Sequence, residues 1–316
     1  MTERNLVICD EEFQYANRLA RNMEARDELA IKVFVCTKFE HVLSLMKEKR
    51  IHLLIIDEAF SHEKRREISA SQTFVLCKDF VKDLGNEEGM IRKYQCSDEI
   101  IREIFESYME KTKENIIRTM RKEAPRIVAV YSPIHRVGKS TFAIALGKEY
   151  AKTRKTLFIS LEEFAGYEGS FEQGLNLGDL IYYLKQGNGN IGIRLQSAVR
   201  KMADLDFLLP IPVPMDLNEI TTQEWKEFLN QIVENSFYEC IILDVGEGVR
   251  NVFQVLELCD RIYMPVLKDE ISQRKLKRYD DVLGCLKLET IRQNTYQFVM
   301  PENVEEYAKM RAKEET

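Results

Sequence analysis

The run from Ile127 to Ala151, IVAVYSPIHRVGKSTFAIALGKEYA, constrains this chain more than any other stretch. Ile127 to Tyr131 is an apolar strand, a short loop comes next, and Gly138-Lys139-Ser140-Thr141 opens a helix from Phe142 to Ala151. A strand, a loop and a helix in that order gather free backbone N–H groups and the positive end of a helix dipole at one point, which is a site for an anion. Lys139 adds a full positive charge where the outer phosphates of a nucleotide would lie, and Ser140 offers a hydroxyl to Mg²⁺. The pattern GxxxxGK[ST] is incomplete, because Pro133 stands at the first glycine position. Taken alone, VGKST would also serve as a surface turn.

The chain beyond the loop decides between the two. Thr156 to Leu161 reads as a strand that ends in Glu162-Glu163, and Phe207 to Val213 as another. Thr222 to Ser236 is a helix with Trp225, Phe228, Leu229, Ile232 and Val233 on one face. Ile241-Ile242-Leu243-Asp244 is a strand that ends in an acid, the place of a Walker B carboxylate that holds Mg²⁺. A single strand-end Asp is more often a turn residue or a helix cap; its position in this series favours the metal role. The expected fold is α/β, a P-loop NTPase domain with a mostly parallel sheet, over residues 123–316.

Residues 1–122 read as a separate α/β domain, which on the residues that follow resembles a response-regulator receiver, flavodoxin-like in fold. Its strands are Leu6 to Cys9, Ile31 to Cys36, His52 to Ile56, Thr73 to Cys77 and Met90 to Tyr94. Helices are expected over Phe13 to Glu24, Phe39 to Lys49 and Ser97 to Arg121. Continuous apolar strands such as His52 to Ile56 suit a parallel sheet covered on both faces. Asp10 and Glu11 follow the first strand, Asp57 ends the third and Lys93 lies near the fifth. Carboxylates at neighbouring strand ends suit Mg²⁺ and acyl-phosphate chemistry. Against full activity, the charged stretch after Asp57 is short, Cys77 to Met90 leaves little room for a helix, and Cys77-Lys78 stands where receivers usually place Ser or Thr.

The net charge of −6 argues against broad nucleic-acid binding. The basic runs Lys111 to Lys122 and Arg274 to Tyr279 read as solvated helix faces, with a DNA-facing role as the alternative. No apolar run reaches the ~20 residues that span a bilayer, and Met1 to Asn5 lacks a signal-peptide pattern, so a cytoplasmic location is expected. Asn303 to Glu315 has too little apolar surface for a membrane-binding helix. The seven scattered cysteines suit small thiols in a reducing compartment.

On these residues the C-terminal domain resembles the ParA/MinD family of deviant-Walker-A ATPases, and the whole chain resembles the TadZ/CpaE proteins, which localise Tad-type pilus assembly machinery. The resemblance implies bound ATP and Mg²⁺, a homodimer, protein partners in a pilus or secretion assembly, and a polar or membrane-peripheral position reached through those partners. It implies cofactor contacts at Gly138, Lys139, Ser140 and Thr141, metal at Ser140 and Asp244, and catalytic roles for Lys139, Glu162 and Asp244. Three departures stand out. Ile134 replaces the family's signature lysine. His135 and Arg136 replace two glycines; they block close approach of two subunits, or Arg136 supplies the missing cation, or both are solvent-facing loop residues. Ser160 replaces one acid of the second strand. These departures imply slow hydrolysis or none. Alternatives are a non-enzymatic scaffold, a partitioning ATPase acting on DNA, and a P-loop kinase or transferase.

Overall fold

The computed structural model describes residues 3–26, 29–79, 83–112, 116, 124–166, 174–187 and 191–314. Two compact units divide the chain, residues 1–120 and 121–316. The proposed boundary at 122/123 lies outside the described residues, as do most of the basic run 111–122 and, Ile116 apart, the expected continuation of the Ser97 helix beyond Thr112.

The N-terminal unit holds β1 (Arg4–Cys9), β2 (Ile31–Cys36), β3 (Ile51–Asp57), β4 (Ala70–Cys77) and β5 (Glu88–Arg92). All pair in parallel, in the order β2-β1-β3-β4-β5. The sequence explains the middle of the sheet: Leu6, Val7, Ile8 and Cys9 of β1 and Leu53 to Ile56 of β3 are wholly buried, as unbroken apolar runs require between two helical layers. The helix Phe13–Glu24 buries Ala16, Leu19, Ala20 and Met23, one face at helical spacing. A four-residue helix, His62–Arg65, stands between β3 and β4, and Ser97–Thr112 follows β5. The fifth strand begins two residues earlier than Met90 and ends before Tyr94, which takes a left-handed φ of 63° and turns the chain.

The C-terminal unit holds β6 (Arg126–Val130), β7 (Thr156–Leu161), β8 (Val199–Met202), β9 (Leu205–Leu208), β10 (Cys240–Val245), β11 (Arg261–Val266) and β12 (Thr295–Val299). Their order is β12-β11-β6-β10-β7-β9-β8, parallel except for the β8–β9 hairpin at one edge. The expected strand from Phe207 to Val213 is shorter and starts earlier, because Pro210 and Pro212 cannot donate to a ladder. Two cores cover the two faces of this sheet. Trp225, Phe228 and the apolar residues of Leu177–Lys185 pack on one. The helix Lys139–Ala151 and the helix Val304–Glu314 pack on the other. Phe142 anchors that second layer, its ring centroid 4.7 Å from Phe298 and 5.4 Å from Tyr263. Among the described residues, no helix is long and apolar enough to cross a membrane.

Candidate functional site

Parallel pairing sets β6, β10 and β7 side by side, so the segments after them meet at one edge, outside the carboxyl ends of the strands. After β6 the chain runs through 131–138 into the helix Lys139–Ala151. Two positions in this loop carry left-handed backbone, Gly138 at φ 82° and Arg136 at φ 55°. Gly138 needs to be glycine twice over, since a Cβ there would also come within 3.0 Å of Met300. Arg136 bears that strain with a full side chain, and it and His135 face solvent. Ile134 is buried in the core, with its N–H donating to Ser132 Oγ at 3.1 Å. Ile134 is therefore a packing residue that holds the loop down.

Asp244 lies on β10 in register with Val130 of β6 and Ser160 of β7. Its carboxylate is 1% exposed, and neither oxygen completes a hydrogen bond of good geometry. Burial pushes its pKa up to about 7; the Ser140 hydroxyl opposes that rise, the Glu162 charge adds to it and the Lys139 charge opposes it. A buried carboxylate whose acceptors are met only by one poorly aligned hydroxyl is costly unless something completes the contact. A hydrated divalent cation shared with Ser140 has the right chemistry, so these residues fit Mg²⁺.

Lys139 and Glu162 form an ion pair at 3.0 Å, with both side chains mostly screened from solvent. The segment after β10 closes on the same point. Gly246 donates its N–H to Leu161 O at 3.2 Å, and a Cβ there would lie 2.7 Å from that oxygen and 2.8 Å from Glu162 Cα. A Cβ on Gly248 would meet Glu163. Glu247 reaches His135 at 3.0 Å. The structure thus gathers Gly138, Lys139, Ser140, Glu162 and Asp244, while Thr141 and Arg136 are exposed beside them. The His135–Glu247 pair and the close approach of Gly246 have no local sequence signal, because both depend on β10 lying between β6 and β7.

In the N-terminal unit, Asp10 follows β1 and Asp57 ends β3, adjacent strands where the strand order reverses. Lys93 is buried and ion-paired to both, at 2.7 Å to Asp10 and in very close contact with Asp57. Asp10 Oδ1 also accepts the Glu12 N–H, and Asp57 Oδ1 the Ala59 N–H, each at 2.8 Å. Burial raises the Asp10 pKa despite the lysine. Burial opposes the charge on Lys93, but hydrogen bonds to Asp10 and Asp57 outweigh it and raise its pKa above the ordinary lysine value. Glu11 is exposed and stands outside this cluster. Its neighbour Glu12 joins instead, 3.6 Å from Lys93, with its carboxylate accepting the Tyr94 hydroxyl at 2.9 Å.

No family model and no curated protein matches the chain. Solved structures do. A plasmid partition protein of Borrelia burgdorferi bound to AMPPNP is similar over 58% of this chain and 81% of its own, at 18% identity and a TM-score of 0.46. The MinC:MinD complex of Aquifex aeolicus is similar over 55% and 68%, at 18% identity and 0.42. A ParA family ATPase of Chlorobium tepidum is similar over 60% and 90%, at 15% identity and 0.43.

Proposed function

We propose that the C-terminal unit binds Mg²⁺–ATP at Gly138 to Thr141 and that the chain works as a positioning or scaffold protein of the TadZ/CpaE kind, hydrolysing ATP slowly or not at all. The observation that carries this is Asp244: a buried carboxylate whose oxygens complete no hydrogen bond of good geometry, with the Ser140 hydroxyl and the Lys139 charge acting on it at the start of a strand-fed helix. When bound, Mg²⁺ would supply charge neutralisation for the phosphates. Slow turnover is supported by the buried Ile134, which puts no cation at that place in the loop, and by Ser160, which puts no second acid beside Asp244. A receiver-like role for residues 1–122 is supported by the strand order and by the Asp10, Asp57 and Lys93 cluster. Because Lys93 already spans both acids, we favour binding or dimerisation over phosphorylation for that domain.

Titration calorimetry with ATP and ADP, each with and without Mg²⁺, followed by turnover on the same sample, tests the proposal. Lys139→Ala should weaken ATP about tenfold or more, the loss of a charge-assisted contact of about 1.5–3 kcal/mol. Glu162→Gln should retain or tighten ATP binding, because wild-type Lys139 must leave Glu162 to meet a phosphate, while any turnover falls. Unchanged affinity in a folded Lys139→Ala protein would overturn the site. Zero turnover with intact binding would leave a nucleotide-stabilised scaffold.

A homodimer is part of the same reading, since two-fold pairing is the commonest assembly. Light scattering of the full chain with and without ATP should give twice the monomer mass in at least one state. A monomer in both would sink it.

A further inference from the structure

A second surface of the C-terminal unit has the build of a docking groove. The helix Leu177–Lys185 is fixed at its start by a capping box between Asn176 and Asp179. Its Leu177 N–H donates to Leu209 O at 2.9 Å, tying the helix to the chain just past β9. From there 210–213 leads into the short helix Pro214–Glu219. Between the two helices runs an open groove of about 440 Å³. One flank is tied to Leu209 and the other buries Leu217 in the core, so little backbone ordering is required of the groove when something enters it.

Its chemistry is specific. Buried Ile181 and Ile211 form the floor, and Tyr182 and Val213 stand on the rim, 64% and 44% exposed. Met215, 68% exposed, continues the apolar rim on the short helix. Asp216 and Glu219 are exposed along the same helix and make no ion pair among the described residues. The one basic residue lining the groove among the described residues, Lys185, is spent on Glu224 at 2.9 Å. An apolar channel edged with unpaired acids attracts a basic amphipathic ligand and repels anionic lipid and nucleic acid alike.

We infer that this groove docks a protein partner through an amphipathic helix with an apolar stripe and Lys or Arg flanks. Apolar anchors enter between Tyr182 and Val213, and the flanking cations meet Asp216 and Glu219. The surface goes beyond the nucleotide site and does not depend on it. It does lie at the same sheet edge, since β9 pairs in parallel with β7.

The test uses the full chain and three labelled synthetic helical peptides that share one leucine stripe and differ in their flanks: lysine, glutamine or glutamate. Fluorescence anisotropy at low salt should give tightest binding for the lysine peptide and roughly tenfold or weaker binding for the glutamate one. The double variant Asp216→Lys/Glu219→Lys should lose roughly tenfold for the lysine peptide, and Tyr182→Ser should weaken all three. The protein is acidic overall, so Glu305→Lys/Glu306→Lys, on the opposite face of the sheet, provides the control and should bind as wild type. All of these positions are exposed, and circular dichroism checks that each variant folds. Equal affinity for the lysine and glutamate peptides would overturn the inference, as would wild-type affinity in Asp216→Lys/Glu219→Lys. A dimer that disappears in that double variant would assign the groove to a second copy of the chain and equally overturn it.

Discussion

Lys93→Met is expected to destabilise the N-terminal unit by about 3–5 kcal/mol, the usual cost of leaving a buried charge without its partner. Two carboxylates depend on this one ammonium. Asp10 has no exposed surface and Asp57 is 8% exposed, and Lys93 is their only cation within salt-bridge distance among the described residues. Methionine keeps the length and apolar body of the side chain, so the loss isolates the charge. The single tryptophan, Trp225, lies in the other unit and gives an internal reference. Denaturation of the full chain should show an early transition by circular dichroism while Trp225 fluorescence keeps its midpoint. Asp57→Asn in the same background should recover part of the loss, and added Mg²⁺ should do the same, because two bare carboxylates at one strand edge then suit a divalent cation. A circular dichroism curve that matches wild type would show that the acids are satisfied without Lys93.

Much of this molecule is legible in the sequence, for a physical reason. Parallel strands buried on both faces must be apolar throughout, so Ile51–Asp57, Thr156–Leu161 and Cys240–Val245 announce themselves as short runs. The helix Phe13–Glu24 is equally plain from its spacing. Edge strands are harder. Val199–Met202 is mostly half-buried, and in Thr295–Val299 only Phe298 is buried, so neither carries an unbroken apolar run. The segment past Leu208 misleads because it stays apolar after its hydrogen bonding has stopped; Ile211 serves the core from a loop broken by prolines.

The candidate sites divide the same way. Gly138, Lys139 and Ser140 are contiguous and Asp244 ends a strand, so local pattern reveals them. The Lys139–Glu162 pair cannot be read locally, since it needs β7 and the phosphate loop on either side of β10. In the N-terminal unit the shift from Glu11 to Glu12 is a matter of one residue in the turn after β1, which no periodicity specifies. Ile134 shows the opposite relation. In sequence it is a missing cation; in the structure it is a buried contact, so restoring lysine there would place a charge in the core as well as at the loop.

Asp244→Asn is expected to stabilise the nucleotide-free protein at pH 8 while removing the Mg²⁺-dependent part of ATP binding. The carboxyl titrates at about 7 in the folded protein, against an ordinary value of 3.8, chiefly because burial penalises its charge. Between those two values the folded protein holds a proton that the unfolded chain has released. Wild-type stability from this group therefore falls as pH rises through that window, by at most about 4 kcal/mol for a shift of about three units. Asparagine carries no charge at either end of the window, so the stability difference between variant and wild type should be small near pH 4 and favour the variant by about 2 kcal/mol or more at pH 8. Comparing the two proteins cancels the titration of groups that do not interact with Asp244, leaving only the coupling to Glu162 and Lys139. Urea denaturation across pH 4 to 8 measures the difference, and calorimetry with and without Mg²⁺ measures the binding loss. Stabilisation joined to lost binding is what a group held in strain for a ligand produces. A variant that is no more stable than wild type at pH 8, or that keeps its Mg²⁺ response, would mean that Asp244 is an ordinary buried polar residue, and the case for a nucleotide site would then rest on Lys139 and the loop alone.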